Sequence, residues 1–93
     1  MADYARAHVI VSGRVQGVYY RAGTRDEARR RGLAGWVKNL SDGKVEAVFE
    51  GPKDKVGGML QWCAEGPPGA EVTDVDAKWE EYKCEFRGFN IIM

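Results

Sequence analysis

Two short segments of the sequence hold residue types that could bind a phosphate group and a water molecule. The first is the glycine-punctuated loop at residues 13–21 (GRVQGVYYR), which follows an apolar stretch and leads into a helical pattern. N–H groups at a helix N-terminus lack intrahelical acceptors, and the helix dipole favours negative charge there. Arg21 would add a guanidinium in the first turn, with planar donors suited to phosphate oxygens. The residues of this segment, which we call the anion loop, therefore predict an anion-binding site.

The second segment is residues 35–39 (GWVKN), which precede a turn at residues 41–43 (SDG). The carboxamide of Asn39 offers both a donor and an acceptor, so it could orient a water without deprotonating it. An asparagine before a hairpin commonly serves only the turn. Gly13 and Gly17 could likewise be turn glycines, but positive φ angles are also what an anion cradle requires.

Alternation and helical periodicity predict the elements that would position these residues. The patterns give the order strand, helix, strand, strand, helix, strand and a short final strand. The second helix begins near Pro52, and Val56, Met59, Leu60 and Cys63 share one of its faces. The other predicted elements are residues 7–12, a helix over 19–31 that ends at Gly32, then 35–40, 44–50, 73–80 and 89–91.

This element order is typical of an α+β, ferredoxin-like split β-α-β sandwich, with two helices on one face of a mostly antiparallel sheet. Ninety-three residues predict one domain over 1–93, without a separate cofactor-binding module. A strand–helix–strand crossover makes the first two strands parallel, so their carboxyl ends lie at the same end of the sheet. We therefore expect Asn39 to lie beside the anion loop.

Composition limits the partners to be expected. The chain carries 14 Lys and Arg against 14 Asp and Glu, so no nucleic-acid partner is expected. The two cysteines have no metal-ligand spacing, and we expect Cys63 in the core and Cys84 exposed, with no metal bound. His8 lies in an apolar strand and is interpreted as structural, as are the three tryptophans. No segment resembles a signal peptide or a membrane span, which favours a cytoplasmic protein.

Residues 11–21 and 35–51 resemble the two signatures of the acylphosphatase family, and the similarity extends over essentially the whole chain. The resemblance implies a metal-independent, cofactor-free enzyme, expected to be monomeric, that hydrolyses acyl phosphates to a carboxylate and inorganic phosphate. It implies that Arg21 binds the phosphoryl group and that Asn39 positions the attacking water. The remaining substrate contacts would be the backbone amides of Val15, Gln16, Gly17, Val18, Tyr19 and Tyr20.

One residue departs from the family pattern. Tyr20 stands where the family usually has Phe or Met, and its hydroxyl needs a partner if it is buried. The Gln16 side chain could contact phosphate, although its backbone amide is the contact we expect. A carboxylate leaves as a weak base, so no strong general acid is required. We expect a shallow cleft that tolerates many acyl groups, and the acceptor of the water's proton stays open.

Three alternatives remain open from the sequence. The same sandwich could be a non-catalytic module that binds anions or nucleotides, since fold does not dictate function. An RNA-binding domain needs exposed aromatic residues on its central strands, whereas residues 9–11 are Val, Ile and Val. The chain could also resemble the acylphosphatase-like domains of larger maturation enzymes. A free-standing enzyme is preferred because the sequence has no segment beyond residue 93 to supply such partners.

Overall fold

The strands and helices follow the predicted order. A computed structural model describes residues 3–92. The elements are β1 (Tyr4–Arg14), α1 (Tyr20–Arg30), β2 (Ala34–Asn39), β3 (Val45–Pro52), α2 (Lys53–Glu65), β4 (Glu71–Glu80) and β5 (Phe89–Ile91). β1 extends beyond its predicted apolar run at both ends, because its flanking residues pair with β3 and β4.

The strands form one mixed sheet in the order β4-β1-β3-β2-β5. Neighbouring strands are antiparallel except for β2 and β5, which are parallel. Because β1 and β2 each run antiparallel to β3, they are parallel to one another, and both end on the side of the sheet where the anion loop begins. Both helices pack on one face, which confirms the ferredoxin-like sandwich.

The core lies between the helices and the inner face of the sheet. Every second residue of β1 points inward, so Ala7, Val9 and Val11 are buried. Phe49 of β3 and Phe89 of β5 stack with ring centroids 5.3 Å apart. Burying one such large apolar side chain contributes about 1.5–3 kcal/mol to folding. The short β5 is therefore held to the sheet by its side chain as well as by its hydrogen bonds.

The outer face of the sheet is partly covered at the end away from the anion loop. Alternation predicts that Glu50 points outward, and it does, yet it is only 2% exposed. Its carboxylate accepts hydrogen bonds from the Lys83 N–H at 2.9 Å, the Glu85 N–H at 3.1 Å and the Arg6 guanidinium at 3.4 Å. The buried charge is therefore paired, and it fixes the segment between β4 and β5 across the sheet.

The first helix ends where the glycine signal indicates. The Gly32 N–H donates to the Arg29 carbonyl at 3.0 Å, and the Leu33 N–H donates to the Ala28 carbonyl at 2.9 Å. This pair of bonds is the Schellman motif, which satisfies carbonyls that the last turn leaves free. The chain can then reverse directly into β2. In the part of the chain that the structure describes, no helix is both long and apolar enough to cross a membrane.

The aromatic residues divide between the core and the surface. Trp62 packs on the ring of Tyr20, with centroids 5.7 Å apart, as expected of a packing residue. Trp36 is half-buried on the outer face, where the Lys38 ammonium lies 5.4 Å from its ring. Trp79 is 49% exposed because β4 is an edge strand, so its packing is only partial.

Candidate active site

The anion loop leaves the sheet through an irregularity in β1. The pairing of β1 with β4 shifts between Ser12 and Gly13, so that one residue of β4 is skipped. Gly13 has φ +119°, and a Cβ atom built on it would lie 2.1 Å from the Glu71 carbonyl oxygen. Only glycine fits this close approach of two backbones. The shift bends the end of β1 and directs the following residues toward the N-terminus of α1.

The backbone of the loop presents unpaired donors at that N-terminus. Gly17 (φ +72°) and Tyr19 (φ 62°) both adopt left-handed conformations, which turn successive N–H groups toward one side. Within residues 3–92, no N–H group of residues 16–20 donates a hydrogen bond to the protein. Tyr19 occupies the N-cap position of α1 without a side-chain capping bond, and the first turn holds no acidic residue. The arrangement is suited to an anion.

Arg21 follows in the first turn of α1 and is half-buried. No carboxylate among the described residues lies within ion-pair distance of its guanidinium. Other arginines of this helix are paired, as Arg25 is with Asp26 and Arg30 with Glu27. The guanidinium of Arg21 therefore keeps its donors available beside the loop amides.

Asn39 is the last residue of β2, where it pairs with Val45 of β3. Its Oδ1 atom is buried and has no hydrogen-bond partner among the residues that the structure describes. Buried polar atoms are nearly always satisfied by protein or ordered water, so such an orphan acceptor calls for an explanation. A donor supplied by a water molecule would satisfy it.

The side chain of Gln16 reaches from the loop to the hairpin that follows β2. Its Nε2 atom donates to the carbonyls of Leu40 and Lys44, both at 2.8 Å. These carbonyls belong to the hairpin that follows Asn39, so Gln16 ties the anion loop to the segment that carries the asparagine. Sequence reasoning considered a phosphate contact for this side chain and missed the tie. Only the backbone amide of Gln16 remains available for an anion.

Tyr20 begins α1 with its ring inside the core. Its hydroxyl donates to the Cys63 carbonyl at 2.7 Å, which supplies the partner that a buried tyrosine requires. Burial raises the pKa of Tyr20 well above its ordinary value, so the hydroxyl stays a donor. Val15 and Tyr20 thus anchor both ends of the loop by burial of their side chains.

The loop and the end of β2 enclose one cleft of about 420 Å³. Arg21 and Asn39 both line it, so the convergence predicted from the parallel strands is confirmed. Val18 does not line it and packs against the core instead. Sequence reasoning missed Ile91, which reaches the cleft because β5 lies beside β2. The full lining is Val15, Gly17, Tyr19, Tyr20, Arg21, Ala22, Asn39 and Ile91.

The other polar groups lie outside this cleft. His8 is on the outer face of the sheet, with Nε2 2.6 Å from a carboxylate oxygen of Glu46. Cys63 is buried and Cys84 is exposed, as expected, and both are free thiols. In the part of the chain described, no three His, Cys, Asp or Glu side chains cluster as metal ligands would.

Comparisons with known proteins agree on one family. The sequence profile described as Acylphosphatase matches residues 7–91. An acylphosphatase of Roseiflexus sp. is 56% identical over 92 residues, covering 99% of each chain. One from Pelotomaculum thermopropionicum is 54% identical over 87 residues, covering 94% of this chain and 95% of that protein. The solved structure of an acylphosphatase from Coxiella burnetii superimposes with a TM-score of 0.92 at 39% identity, covering 97% and 94%.

Proposed function

Because this chain belongs to the acylphosphatase family of hydrolases, we propose that it cleaves the carboxyl–phosphate bond of acyl phosphates. The products are a carboxylate and inorganic phosphate. The observation that carries the proposal is that the Arg21 guanidinium, loop amides and the Asn39 carboxamide oxygen meet at one cleft, none of them paired within residues 3–92. The proposed substrate-binding amides are those of residues 15–20, of which Val15, Gly17, Tyr19 and Tyr20 line the cleft. The proposed catalytic side chains are Arg21 and Asn39.

In this proposal the loop and Arg21 hold the phosphoryl group. The amides donate to its nonbridging oxygens, and the guanidinium adds a fixed positive charge. Phosphoryl transfer is catalysed largely by positioning and by electrostatic stabilisation of those oxygens. Donors that are already oriented by the backbone need no reorganisation as charge shifts in the transition state. The tie from Gln16 to the hairpin keeps this cradle in register with Asn39.

Asn39 acts on the water. Its buried Oδ1 accepts one O–H of the water, which leaves an oxygen lone pair directed at phosphorus. A bond forms between the water oxygen and phosphorus while the bond from phosphorus to the acyl oxygen breaks. The electron pair of that bond leaves on the carboxylate, and the water's proton passes to an oxygen of the phosphate. Because a carboxylate is a weak base, the step needs no strong general acid.

The enzyme in this proposal is monomeric and cytoplasmic, and it uses neither metal nor cofactor. Hydrolysis of benzoyl phosphate in the presence of EDTA tests the function, with turnover expected. If the folded protein binds inorganic phosphate saturably but hydrolyses no acyl phosphate, the non-catalytic anion-binding module is correct instead.

Two substitutions test the assigned roles. Arg21→Gln and Asn39→Ala should fold normally and lower kcat/KM by about 100- to 1000-fold, as losses of oxyanion-stabilising groups do. Arg25→Gln, one turn further along α1, and Asn90→Ala, on an exposed position of β5, are matched controls and should stay within about twofold. Rates near the wild-type value for both Arg21→Gln and Asn39→Ala would refute the roles.

A further inference from the structure

The cleft has an apolar side that the phosphoryl group does not need. In the proposed function, Arg21, Asn39 and the loop amides serve the phosphate and the water. The residues that line the cleft of about 420 Å³ also include Tyr19 and Ile91. These two come from different elements, the loop before α1 and the strand β5, and neither ring nor aliphatic chain offers a charge to a phosphate oxygen.

Tyr19 is unusual in both its backbone and its exposure. It is 84% exposed, the highest value among the large hydrophobic side chains of the described residues. Its backbone is left-handed (φ 62°, ψ 23°), a conformation that is unfavourable for residues other than glycine. An exposed ring gains little from burial to offset that strain. Backbone strain that is not offset by packing of the strained residue is characteristic of functional sites.

We infer that Tyr19 and Ile91 form the subsite for the acyl group, and that they favour acyl phosphates with aromatic or branched apolar acyl groups. The inference rests on the proposed function. A phosphoryl group held by the loop leaves its acyl group at the rim, where the Tyr19 ring stands on the loop itself. Ile91 is half-buried beside the end of β2 and provides a rigid second wall.

The chemistry of this lining selects against small and anionic acyl groups. An aromatic ring gains from stacking and from burial of apolar surface against Tyr19. An acetyl group has too little surface to gain the same contacts. A second carboxylate would find no additional cation among the side chains that line the cleft, because Arg21 is committed to the phosphoryl group. Instead of the broad tolerance for acyl groups expected from the sequence, we expect kcat/KM to be higher for apolar and aromatic acyl groups than for small or anionic ones.

The test compares kcat/KM for benzoyl phosphate with kcat/KM for acetyl phosphate. The two compounds differ in intrinsic reactivity, so their ratio is compared between variants. Tyr19→Asn keeps a residue that tolerates the left-handed backbone but removes the ring. It should lower the benzoyl-to-acetyl ratio about threefold to tenfold, the size of one aromatic contact. Ile91→Ala should lower the same ratio, and Tyr19→Phe should preserve it.

Tyr4→Asn is the matched control, since it removes an exposed tyrosine outside the cleft and should leave the ratio unchanged. If Tyr19→Asn and Ile91→Ala each lower kcat/KM equally for both substrates, these residues act on phosphoryl binding and not on the acyl group. That result would overturn the subsite, while the proposed function stands. If the wild-type protein hydrolyses neither compound, the proposed function fails and the subsite fails with it.

Discussion

The hydroxyl of Tyr20 satisfies a carbonyl that has no partner in its own helix. In an α-helix the Cys63 carbonyl would accept from the N–H four residues later, but that residue is Pro67, which has none. The Tyr20 hydroxyl donates to this carbonyl at 2.7 Å instead. The tyrosine at position 20 therefore has a structural reason within this chain, and its hydroxyl links the anion loop to the end of α2.

Tyr20→Phe tests this link. The substitution keeps the ring and leaves a buried carbonyl without a donor, which costs about 1–3 kcal/mol. We expect the free energy of unfolding to fall by that amount in urea titrations followed by circular dichroism. Tyr4→Phe removes an exposed hydroxyl and should stay within about 0.5 kcal/mol of wild type. Equal stability of Tyr20→Phe and wild type would mean that another donor reaches Cys63.

Single residues differ in how far the sequence predicts them. Arg21 and Asn39 could be placed together because chain direction and crossover geometry determine where the ends of β1 and β2 lie. The destination of the Gln16 side chain could not be predicted. Its partners are the backbone carbonyls of Leu40 and Lys44. The sequence does not indicate which backbone carbonyls lack another hydrogen-bond donor.

The bent end of β1 positions the anion loop. Gly13 sits where the register between β1 and β4 shifts, and the space for its missing side chain is filled by the Glu71 carbonyl. The sequence suggested a turn glycine at this position. The close approach of two backbones at Gly13 involves β4, which is about sixty residues away in the sequence. This contact could not be inferred from the loop alone.

Gly13→Ala should therefore displace β4 or the loop. We expect the free energy of unfolding to fall by about 2–4 kcal/mol, from left-handed strain together with steric overlap. Gly88→Ala is the matched control: its φ is +70°, but among the described residues no atom beyond its two chain neighbours lies within 4 Å of the added Cβ. That variant should lose only about 1 kcal/mol. If chemical denaturation shows similar losses in the free energy of unfolding for the two variants, the backbone can move away from Glu71 without a measurable loss of stability.

Element boundaries were less predictable than element order. A nearly continuous apolar run located the middle of β1, whereas its ends at Tyr4 and Arg14 depend on how far β3 and β4 extend beside it. The alternation at residues 73–80 is as regular as that of a central strand. β4 is nevertheless an edge strand with mostly exposed residues, because strand order is a property of the whole sheet.

At the scale of the whole molecule, the free energy of folding depends on groups that must stay uncharged in the core. Cys63 lies on the inner face of α2 and is 1% exposed. Desolvation by burial raises the pKa of the Cys63 thiol from 9.0 to about 12. Ionising this thiol would place an unpaired charge among apolar side chains, which the fold disfavours strongly.

The sign of the resulting pH dependence follows from proton binding. Between pH 9 and about pH 12 the unfolded chain loses the Cys63 proton while the folded protein keeps it, because the folded pKa is raised. The unfolded state then binds fewer protons, so the free energy of unfolding falls as pH rises. The contribution is fully present below pH 9 and is lost as the pH approaches 12. One such group contributes a slope of about 1.4 kcal/mol per pH unit.

Cys63→Ala removes this titration together with some packing. At neutral pH the variant should be less stable, because it leaves a small cavity. Its free energy of unfolding should then fall less steeply above pH 9 than that of the wild-type protein, by up to about 1.4 kcal/mol per pH unit. Urea titrations from pH 7 to about pH 11 measure the slope. Val56→Ala, which leaves a cavity on the same buried face of α2 without removing a titratable group, should keep the wild-type slope. Parallel slopes for Cys63→Ala and wild type would mean that the core admits the thiolate or that solvent reaches Cys63 before the protein unfolds.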